Sequence, residues 1–392
     1  MKNMFEFADR VKRLPPYLFA EVEKAMRERK AQGIDLISLS IGDPDLPPPP
    51  VVVDALKEEV ADLKNHNYSL SQGEPEFRKA VVAWCKKRFG VDVAQDEVIA
   101  LLGSKEGLAN IARAFVNAGD HVLVPDPSYP VYNNASTILN DGVAVPMPLL
   151  QENGFKPDFD AVHTEKVKMM FLNYPNNPTG ATLDKKLLKQ AVEFARENDI
   201  ILCYDNAYSE ISFDGYKAPS ILEIDGAEEV AIEFHSLSKT FNITGDRIGF
   251  AVGNKQLISG LTKVKSQVDS GPSVYIQKVA AKALSTYTSS KPPAFLKENN
   301  KIYAERRDVL VEHLCKMGFK CPKPKATFYV WLNCECDSIE FTTKLLSAGV
   351  AVTPGIGFGE HGENYVRFSL TQPKERIVEA SKRITALLEC AV

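Results

Sequence analysis

The sequence of 392 residues lacks the features that mark membrane-spanning and nucleic-acid-binding proteins. No apolar run approaches the roughly 20 residues that a membrane-spanning helix needs. Lysine and arginine number 47 against 51 aspartates and glutamates, and the net charge of −4 offers no basic surface. These deficits argue against a membrane span and against nucleic acid as the main partner.

Cysteine is scarce and scattered. The seven cysteines are odd in number and do not form a disulfide framework, which fits a reducing compartment. Cys334 and Cys336 lie close together, but no second cysteine or histidine pair stands at a zinc-like spacing, so no metal site is predicted. Glu6 and Asp9 stand where a signal peptide would be apolar. We therefore expect a cytoplasmic protein.

The organisation of the chain is that of an α/β protein of about two domains. Short apolar strands alternate with helices, which indicates a mostly parallel sheet covered on both faces. Four prolines at 47–50 interrupt regular structure, and the pattern changes after about residue 290. We expect an N-terminal segment (1–46) that packs with a small domain, a large α/β domain (47–290) and a smaller α+β domain (291–392).

Hydrophobic periodicity places the principal elements. The predicted helices include residues 17–30, 51–63, 75–89, 184–197 and 294–317. The predicted strands include residues 36–40, 98–102, 122–124, 169–172, 200–204 and 326–331, and a helix is expected after the turn at 126–128. Because loops at the carboxyl ends of parallel strands build ligand sites, the site is expected in the loops that follow these strands.

Two such loops carry a lysine and a carboxylate. Lys239 lies in the stretch FHSLSKT (234–240), directly after an apolar run. By itself this stretch is also typical of a solvated polar turn, since most lysines are surface groups. Asp205 ends an apolar strand, where a carboxylate costs free energy unless a cation meets it. It could equally cap a helix.

Other loops carry groups that bind anions. The string GSK at 103–105 stands at a strand-to-helix junction, where backbone N–H groups and a serine hydroxyl favour an anion or simply cap the helix. Arg247 can bind phosphate through two N–H groups, or lie at the surface. Arg367 stands in an apolar strand and is suited to a carboxylate ligand or to an internal ion pair.

Two further stretches complete the set. Tyr129 follows a strand end and could stack on a planar ring or pack in the core. The string NYPNNPTG at 173–180 is more specific than a generic turn requires.

Together these motifs resemble the pyridoxal-phosphate (PLP) aminotransferases of fold type I, class I/II. The strings NNPTG and SLSK, the pair Asp205-x-x-Tyr208 and the pattern G-x-R-x-G occur in the family's order. The spacings also match, with 34 residues from Asp205 to Lys239 and 8 from Lys239 to Arg247. The resemblance implies the family's fold, a large α/β domain and a smaller α+β domain.

The resemblance also implies roles for the site residues. Lys239 would bind PLP covalently and shuttle protons, and Asp205 would keep the pyridine nitrogen protonated. Tyr208 and Asn177 would hydrogen-bond the ring's phenolate oxygen, and Tyr129 would stack on the ring. The phosphate would be held by Ser104, the backbone of Lys105, Ser236, Ser238 and Arg247. The substrate would be bound by Arg367, which holds its α-carboxylate, and by Gly42, Lys105 and Asn177.

The resemblance extends to assembly and reaction. Tyr68 resembles the tyrosine that reaches the phosphate of a neighbouring subunit, which implies a homodimer with shared active sites. An amino acid and a 2-oxo acid would react in turn by a ping-pong mechanism. No nucleic acid or membrane partner is expected.

Several strings are similar to one branch of the family, the LL-diaminopimelate aminotransferases of lysine biosynthesis. They are RLPPYLFA (13–20), GDPDLP (42–47), GSKEG (103–107) and EFHSLSKT (233–240). This similarity implies 2-oxoglutarate as co-substrate and a further contact of Lys105 with the substrate.

Two features depart from that branch. The loop SLSQG at 69–73 has no acidic residue, where members often carry one, and Asp246 replaces an aromatic residue. An aminotransferase for aspartate, aromatic or other amino acids, a PLP-dependent lyase, and a non-catalytic PLP-fold module are the alternatives.

Overall fold

The computed structural model describes residues 5–16 and 18–389. Residues 1–4, Tyr17 and 390–392 lie outside the described residues. The first residue of the helix predicted at 17–30, the start of the predicted N-terminal segment and the end of the predicted small domain therefore also lie outside them. No helix in the described ranges is long and apolar enough to cross a membrane.

Helices and strands alternate through most of the chain. The helices are α1 (Asp9–Lys12), α2 (Leu18–Ala31), α3 (Pro50–Ala61), α4 (Pro75–Phe89), α5 (Ser104–Phe115), α6 (Lys185–Glu197), α7 (Ala227–Val230), α8 (Leu237–Thr240), α9 (Lys255–Lys265), α10 (Val274–Ser285), α11 (Ala294–Lys316), α12 (Ser338–Ser347) and α13 (Lys374–Glu389). The strands are β1 (Ile37–Ser38), β2 (Val98–Leu101), β3 (His121–Asp126), β4 (Val143–Pro148), β5 (Val167–Asn173), β6 (Ile201–Asp205), β7 (Ala231–Ser236), β8 (Gly249–Gly253), β9 (Tyr329–Asn333), β10 (Val350–Ala351), β11 (Thr353–Pro354) and β12 (Tyr365–Ser369).

A seven-stranded sheet in the order β2-β8-β7-β6-β5-β3-β4 forms the centre of the large part of the molecule. Only β8 runs antiparallel to its neighbours. Residues 169–173 of β5 are all buried, as expected for a strand with both faces covered. Helices α5 and α9 cover one face through Leu108 and Leu261, and α6 covers the other through Leu188. The predicted α/β class with a mostly parallel sheet is confirmed.

A smaller antiparallel sheet, β11-β12-β9, lies in the last quarter of the chain. The N-terminal segment joins this region because β1 pairs with β10, Ile37 opposite Val350. Arg306 of α11 also makes a double hydrogen bond to Asp45, at 2.7 and 2.8 Å. The exact limits at residues 46 and 290 stay a prediction.

The helix expected after the turn at 126–128 is replaced by a π-helical turn, Tyr132–Thr137, followed by a short 3-10 turn. Side chains explain the wider winding, because the Thr137 hydroxyl donates to the Tyr132 carbonyl at 2.8 Å. The Ser136 hydroxyl likewise donates to the Val131 carbonyl at 3.1 Å. Such side-chain bonds compete with the regular helical ladder.

The sheet brings the predicted loops to one edge. Strands β3, β5, β6 and β7 are parallel, so Asp126, Asn173, Asp205 and Ser236 end them on the same side. Strand β8 starts at that edge, directly after Arg247 and Ile248. The loops that carry the candidate residues therefore converge.

Candidate active site

A cavity of about 280 Å³ opens at this edge of the sheet. It is lined by all but one of the predicted site residues: Gly42, Ser104, Lys105, Tyr129, Asn177, Asp205, Tyr208, Ser236, Ser238, Lys239, Arg247 and Arg367. Tyr68 lies outside it, with 94% of its surface exposed. Residues as far apart in the sequence as Gly42 and Arg367 therefore line the same cavity.

One part of the cavity wall is suited to an anion. Gly103, with φ +74°, precedes α5, and no side chain caps the start of that helix. The Arg247 guanidinium lies against it, donating to the Leu102 carbonyl at 3.3 Å and the Thr244 carbonyl at 2.8 Å. A Cβ added at Gly103 would approach Arg247 Nη2 to 2.5 Å. Glycine is therefore required for the cation and the helix start to adjoin.

Asp205 is a buried carboxylate in the same cavity, with 4% of its surface exposed. Its Oδ2 accepts a hydrogen bond from the Tyr132 hydroxyl at 2.7 Å, and its Oδ1 accepts one from the Ala207 N–H at 3.2 Å. Burial raises the pKa of Asp205 to about 6, against the opposing effects of Tyr132, the Ala207 N–H and the charge of His235. A carboxylate in such surroundings favours a cationic ligand.

Tyr132 is absent from the predicted site, although it contacts the central carboxylate. It follows the turn at 126–128, where only a helix was expected, and hydrophobic periodicity carries no information about the partner of a hydroxyl.

Lys239 supplies an amine. Its Nζ donates to the Gly42 carbonyl at 2.8 Å. Burial lowers the pKa of Lys239 to about 8; Asp43 opposes this shift, and Arg247 and Arg367 reinforce it. An amine with such a pKa is partly neutral near pH 8 and can act as a nucleophile or a proton acceptor.

The loop at 173–180 joins two parts of the cavity. The Asn173 side chain donates to the Asp205 carbonyl at 2.8 Å and accepts from the Asn177 N–H at 2.8 Å. Asn177 Oδ1 in turn accepts from Arg367 Nη1 at 2.7 Å. The Arg367 Nη2 donates to the Ser40 carbonyl at 2.8 Å, so this arginine is fixed from two sides.

Aromatic rings surround Arg367. Its guanidinium carbon lies 4.1 Å from the centroid of the Tyr329 ring and 4.7 Å from that of Phe358. The hydroxyls of Tyr329 and Tyr208 are 3.1 Å apart. Tyr329 lines the cavity but was expected only as part of a strand, because its approach depends on how β9 packs.

Lys105 and Tyr129 form another part of the wall, with Lys105 Nζ 5.8 Å from the centroid of the Tyr129 ring. Burial, together with the charge of Arg247, lowers the pKa of Lys105. The cavity therefore combines an anion-binding corner, a buried carboxylate, an amine of lowered pKa and an enclosed arginine.

Comparison with known proteins agrees with this arrangement. A family model described as aminotransferase class I and II matches residues 34–384. The LL-diaminopimelate aminotransferase of Desulforudis audaxviator is 47% identical over 391 residues, which cover 98% of each chain. That of Aquifex aeolicus is also 47% identical over 391 residues, covering 98% of this chain and all of its own.

Solved structures agree as well. Substrate-bound BacF from Bacillus subtilis superposes with a TM-score of 0.92 at 38% identity, covering 98% of both chains. The aspartate aminotransferase of Thermus thermophilus with maleate has a TM-score of 0.91 at 31% identity, covering 98% of this chain and 100% of its own. The family indicated by the sequence motifs is confirmed. The chain belongs to the aminotransferases of class I and II.

Proposed function

We propose that this aminotransferase uses PLP, bound in the cavity described above, and transfers an amino group between LL-diaminopimelate and 2-oxoglutarate by a ping-pong mechanism. The PLP assignment rests on one observation: Lys239, Asp205 and the anion-binding corner formed by Gly103 and Arg247 line the same cavity. The substrate assignment rests on the full-length relatives at 47% identity.

The lining fits PLP in its chemistry. A phosphate suits the start of α5, where Ser104 and the Lys105 backbone adjoin Arg247 and where a Cβ at Gly103 would intrude. A protonated ring nitrogen suits the buried Asp205. Further phosphate contacts are assigned to Ser236 and Ser238, which line the same cavity.

PLP, when bound, withdraws electrons and so stabilises negative charge that develops at the substrate Cα. Lys239 is assigned the proton transfer at that carbon, since its lowered pKa suits an amine that accepts and returns a proton near neutrality. Tyr129 would stack on the cofactor ring, and Tyr208 and Asn177 would hydrogen-bond its ring oxygen; all three line the cavity.

Arg367 is assigned the substrate α-carboxylate. The bonds to Asn177 and Ser40 fix its guanidinium before a substrate arrives, which reduces the entropy lost on binding. The Gly42 backbone is the second proposed contact. Lys105, in the cavity wall beside Tyr129, is assigned a contact with the substrate beyond its α-carbon.

A second candidate is an aminotransferase for another amino acid. The loop at 69–73 lacks an acidic residue for a distal ammonium, and the Gln72 amide donates to the carbonyls of Asp96 and Val98, at 3.2 and 3.0 Å. That side chain is thus engaged within its own chain. The aspartate aminotransferase of Thermus thermophilus, at 31% identity, represents this alternative among the solved structures.

We also propose a homodimer in which Tyr68 reaches the partner's phosphate site. Its 94% exposure and the neighbouring exposed Leu70 and Leu63 support an intersubunit contact. A cytoplasmic location is proposed because Cys85 and Cys203 are free thiols. Sedimentation of the purified protein would test the dimer, with a monomer at micromolar concentration as the contrary result.

The substrate is tested by incubating purified protein, PLP and 2-oxoglutarate with LL-diaminopimelate and measuring glutamate. L-aspartate and L-phenylalanine in parallel provide the comparison, and Lys239→Ala is the inactive control. Faster glutamate formation from aspartate or phenylalanine would assign the second candidate. No cofactor absorbance in the loaded wild type, or the same absorbance in Lys239→Ala, would contradict the proposed PLP site.

A further inference from the structure

We propose that Tyr132 is a positioning residue for Asp205: its buried hydroxyl fixes one carboxylate oxygen and keeps the carboxylate ionised for the ring nitrogen of the cofactor. This inference rests on the proposed function, since it concerns the group that Asp205 is assigned to bind. It adds a residue that touches neither substrate nor cofactor.

The phenol of Tyr132 is fixed in place. The residue has none of its surface exposed, and its ring stacks on Phe171 with centroids 5.0 Å apart and planes inclined by 14°. Its carbonyl accepts from the Thr137 hydroxyl at 2.8 Å, and the Ser136 hydroxyl ties the same π-turn to Leu108 of α5 at 2.8 Å. A ring held on its face and at its backbone has little freedom to turn its hydroxyl away from Asp205.

The hydrogen bond from the Tyr132 hydroxyl affects the charge state of the Asp205 carboxylate. In the described ranges Tyr132 is the one side chain that hydrogen-bonds a carboxylate oxygen of Asp205, at 2.7 Å; the other oxygen accepts from the Ala207 backbone. A hydroxyl that donates to a carboxylate favours its charged form. Removing that hydroxyl from an apolar site therefore favours protonation of Asp205.

The other titratable groups near Asp205 do not replace this donor. Tyr204 lies beside it in β6, and Tyr208 follows it. His235 on β7 acts through its charge, and its ring is engaged by Glu233 at 2.8 Å. These groups stay in place when the hydroxyl of Tyr132 alone is removed, so their effects cancel between the wild type and Tyr132→Phe.

Tyr287 offers a matched control. It is fully buried, and its hydroxyl donates at 2.6 Å to the carboxylate of Glu210, which pairs with Arg88 and does not line the cavity. Tyr287→Phe therefore removes the same kind of bond without touching Asp205. Any effect common to both variants reports the loss of a buried hydrogen bond and not the positioning of Asp205.

The experiment uses PLP-loaded wild type, Tyr132→Phe and Tyr287→Phe. The first measurement is kcat/KM for the amino donor from pH 5.5 to 9, and the second is the dissociation constant of PLP at pH 6.5 and 8.5. Loss of one hydrogen bond to a charged group is expected to move the acid limb of Tyr132→Phe upward by about one pH unit. Its affinity for PLP should fall about threefold at pH 6.5 and hardly at all at pH 8.5, because more Asp205 is protonated at the lower pH. Tyr287→Phe should follow the wild type in both measurements.

A folded Tyr132→Phe whose acid limb coincides with that of the wild type, or an equal displacement in Tyr287→Phe, would overturn the inference. If Tyr132→Phe does not fold, 3-fluorotyrosine introduced at position 132 replaces it. Its more acidic phenol donates a stronger hydrogen bond, so the acid limb must move downward, and an unmoved limb refutes the positioning role. Failure of the wild type to bind PLP would instead refute the proposed function.

Discussion

Replacing Lys239 by methionine should stabilise the cofactor-free protein near neutral pH. Burial lowers the pKa of Lys239 from 10.5 to about 8, so the folded state disfavours the charged amine. At pH 6.5 the amine is charged in both states, and the difference of about 2.5 pKa units corresponds to about 3 kcal/mol against folding. Methionine keeps the length of the side chain but carries no charge.

The pH dependence of this effect has a definite sign. Because the pKa of Lys239 is lower in the folded state, its cost is complete below about pH 8 and disappears as pH rises toward 10.5. The advantage of Lys239→Met should therefore shrink by about 2 kcal/mol between pH 6.5 and pH 9.5. Loss of the bond to the Gly42 carbonyl lowers the advantage by about 1 kcal/mol at every pH and leaves its slope unchanged.

The assay is urea unfolding of both apoproteins at pH 6.5, 7.5, 8.5 and 9.5, with the free energies of unfolding subtracted at each pH. Lys282→Met is the control, since Glu58 and Glu59 raise the pKa of Lys282, so it stays charged across this range. The difference in the free energy of unfolding between Lys282→Met and the wild type should therefore not change with pH. A difference for Lys239→Met that is constant or grows with pH would refute the reasoning.

Three further substitutions test other parts of the site and its supports. Gly103→Ala places a Cβ 2.5 Å from Arg247 Nη2 and should weaken PLP binding by at least about tenfold, measured by equilibrium dialysis; unchanged affinity would contradict the assignment of the phosphate corner. Arg306→Met leaves the partly buried Asp45 without its double hydrogen bond and should lower the free energy of unfolding by about 3 kcal/mol, and a loss below 1 kcal/mol would show that solvent replaces the bond. Arg367→Lys should raise KM for both substrates about tenfold or more, whereas a change in kcat alone would remove the arginine from carboxylate binding.

The sheet and the strand-end positions of Asn173 and Asp205 could be predicted from local sequence, whereas several other lining residues, such as Tyr208 and Ser236, were expected only from the family resemblance. Apolar runs such as residues 169–172 fix a parallel strand, and parallel strands end at one edge, so Asn173 and Asp205 had to lie near each other. Lys239 follows by the same rule from β7. Knowledge of which loops share an edge is enough to gather these side chains without any knowledge of their packing.

Tyr132 and Tyr329 could not be predicted as site residues for different physical reasons. Tyr132 reaches Asp205 from a π-turn, whose winding depends on hydroxyl bonds that hydrophobic periodicity does not detect. Tyr329 enters from β9, in a separate sheet, so its contact with Tyr208 depends on how two sheets pack. The role of Tyr68 needs a second subunit and stays a prediction.

The string NYPNNPTG is specific because one loop has to hold two functional groups at once. Asn173 donates to the Asp205 carbonyl and accepts from the Asn177 N–H, while Asn177 Oδ1 accepts from Arg367. Arg367 continues the series to the Ser40 carbonyl. Aspartate at position 173 could still accept but could not donate, which would leave two oxygens facing each other near Asp205. An amide is needed at position 173 because this side chain has to donate to the Asp205 carbonyl and also accept from the N–H of Asn177, the residue that holds Arg367.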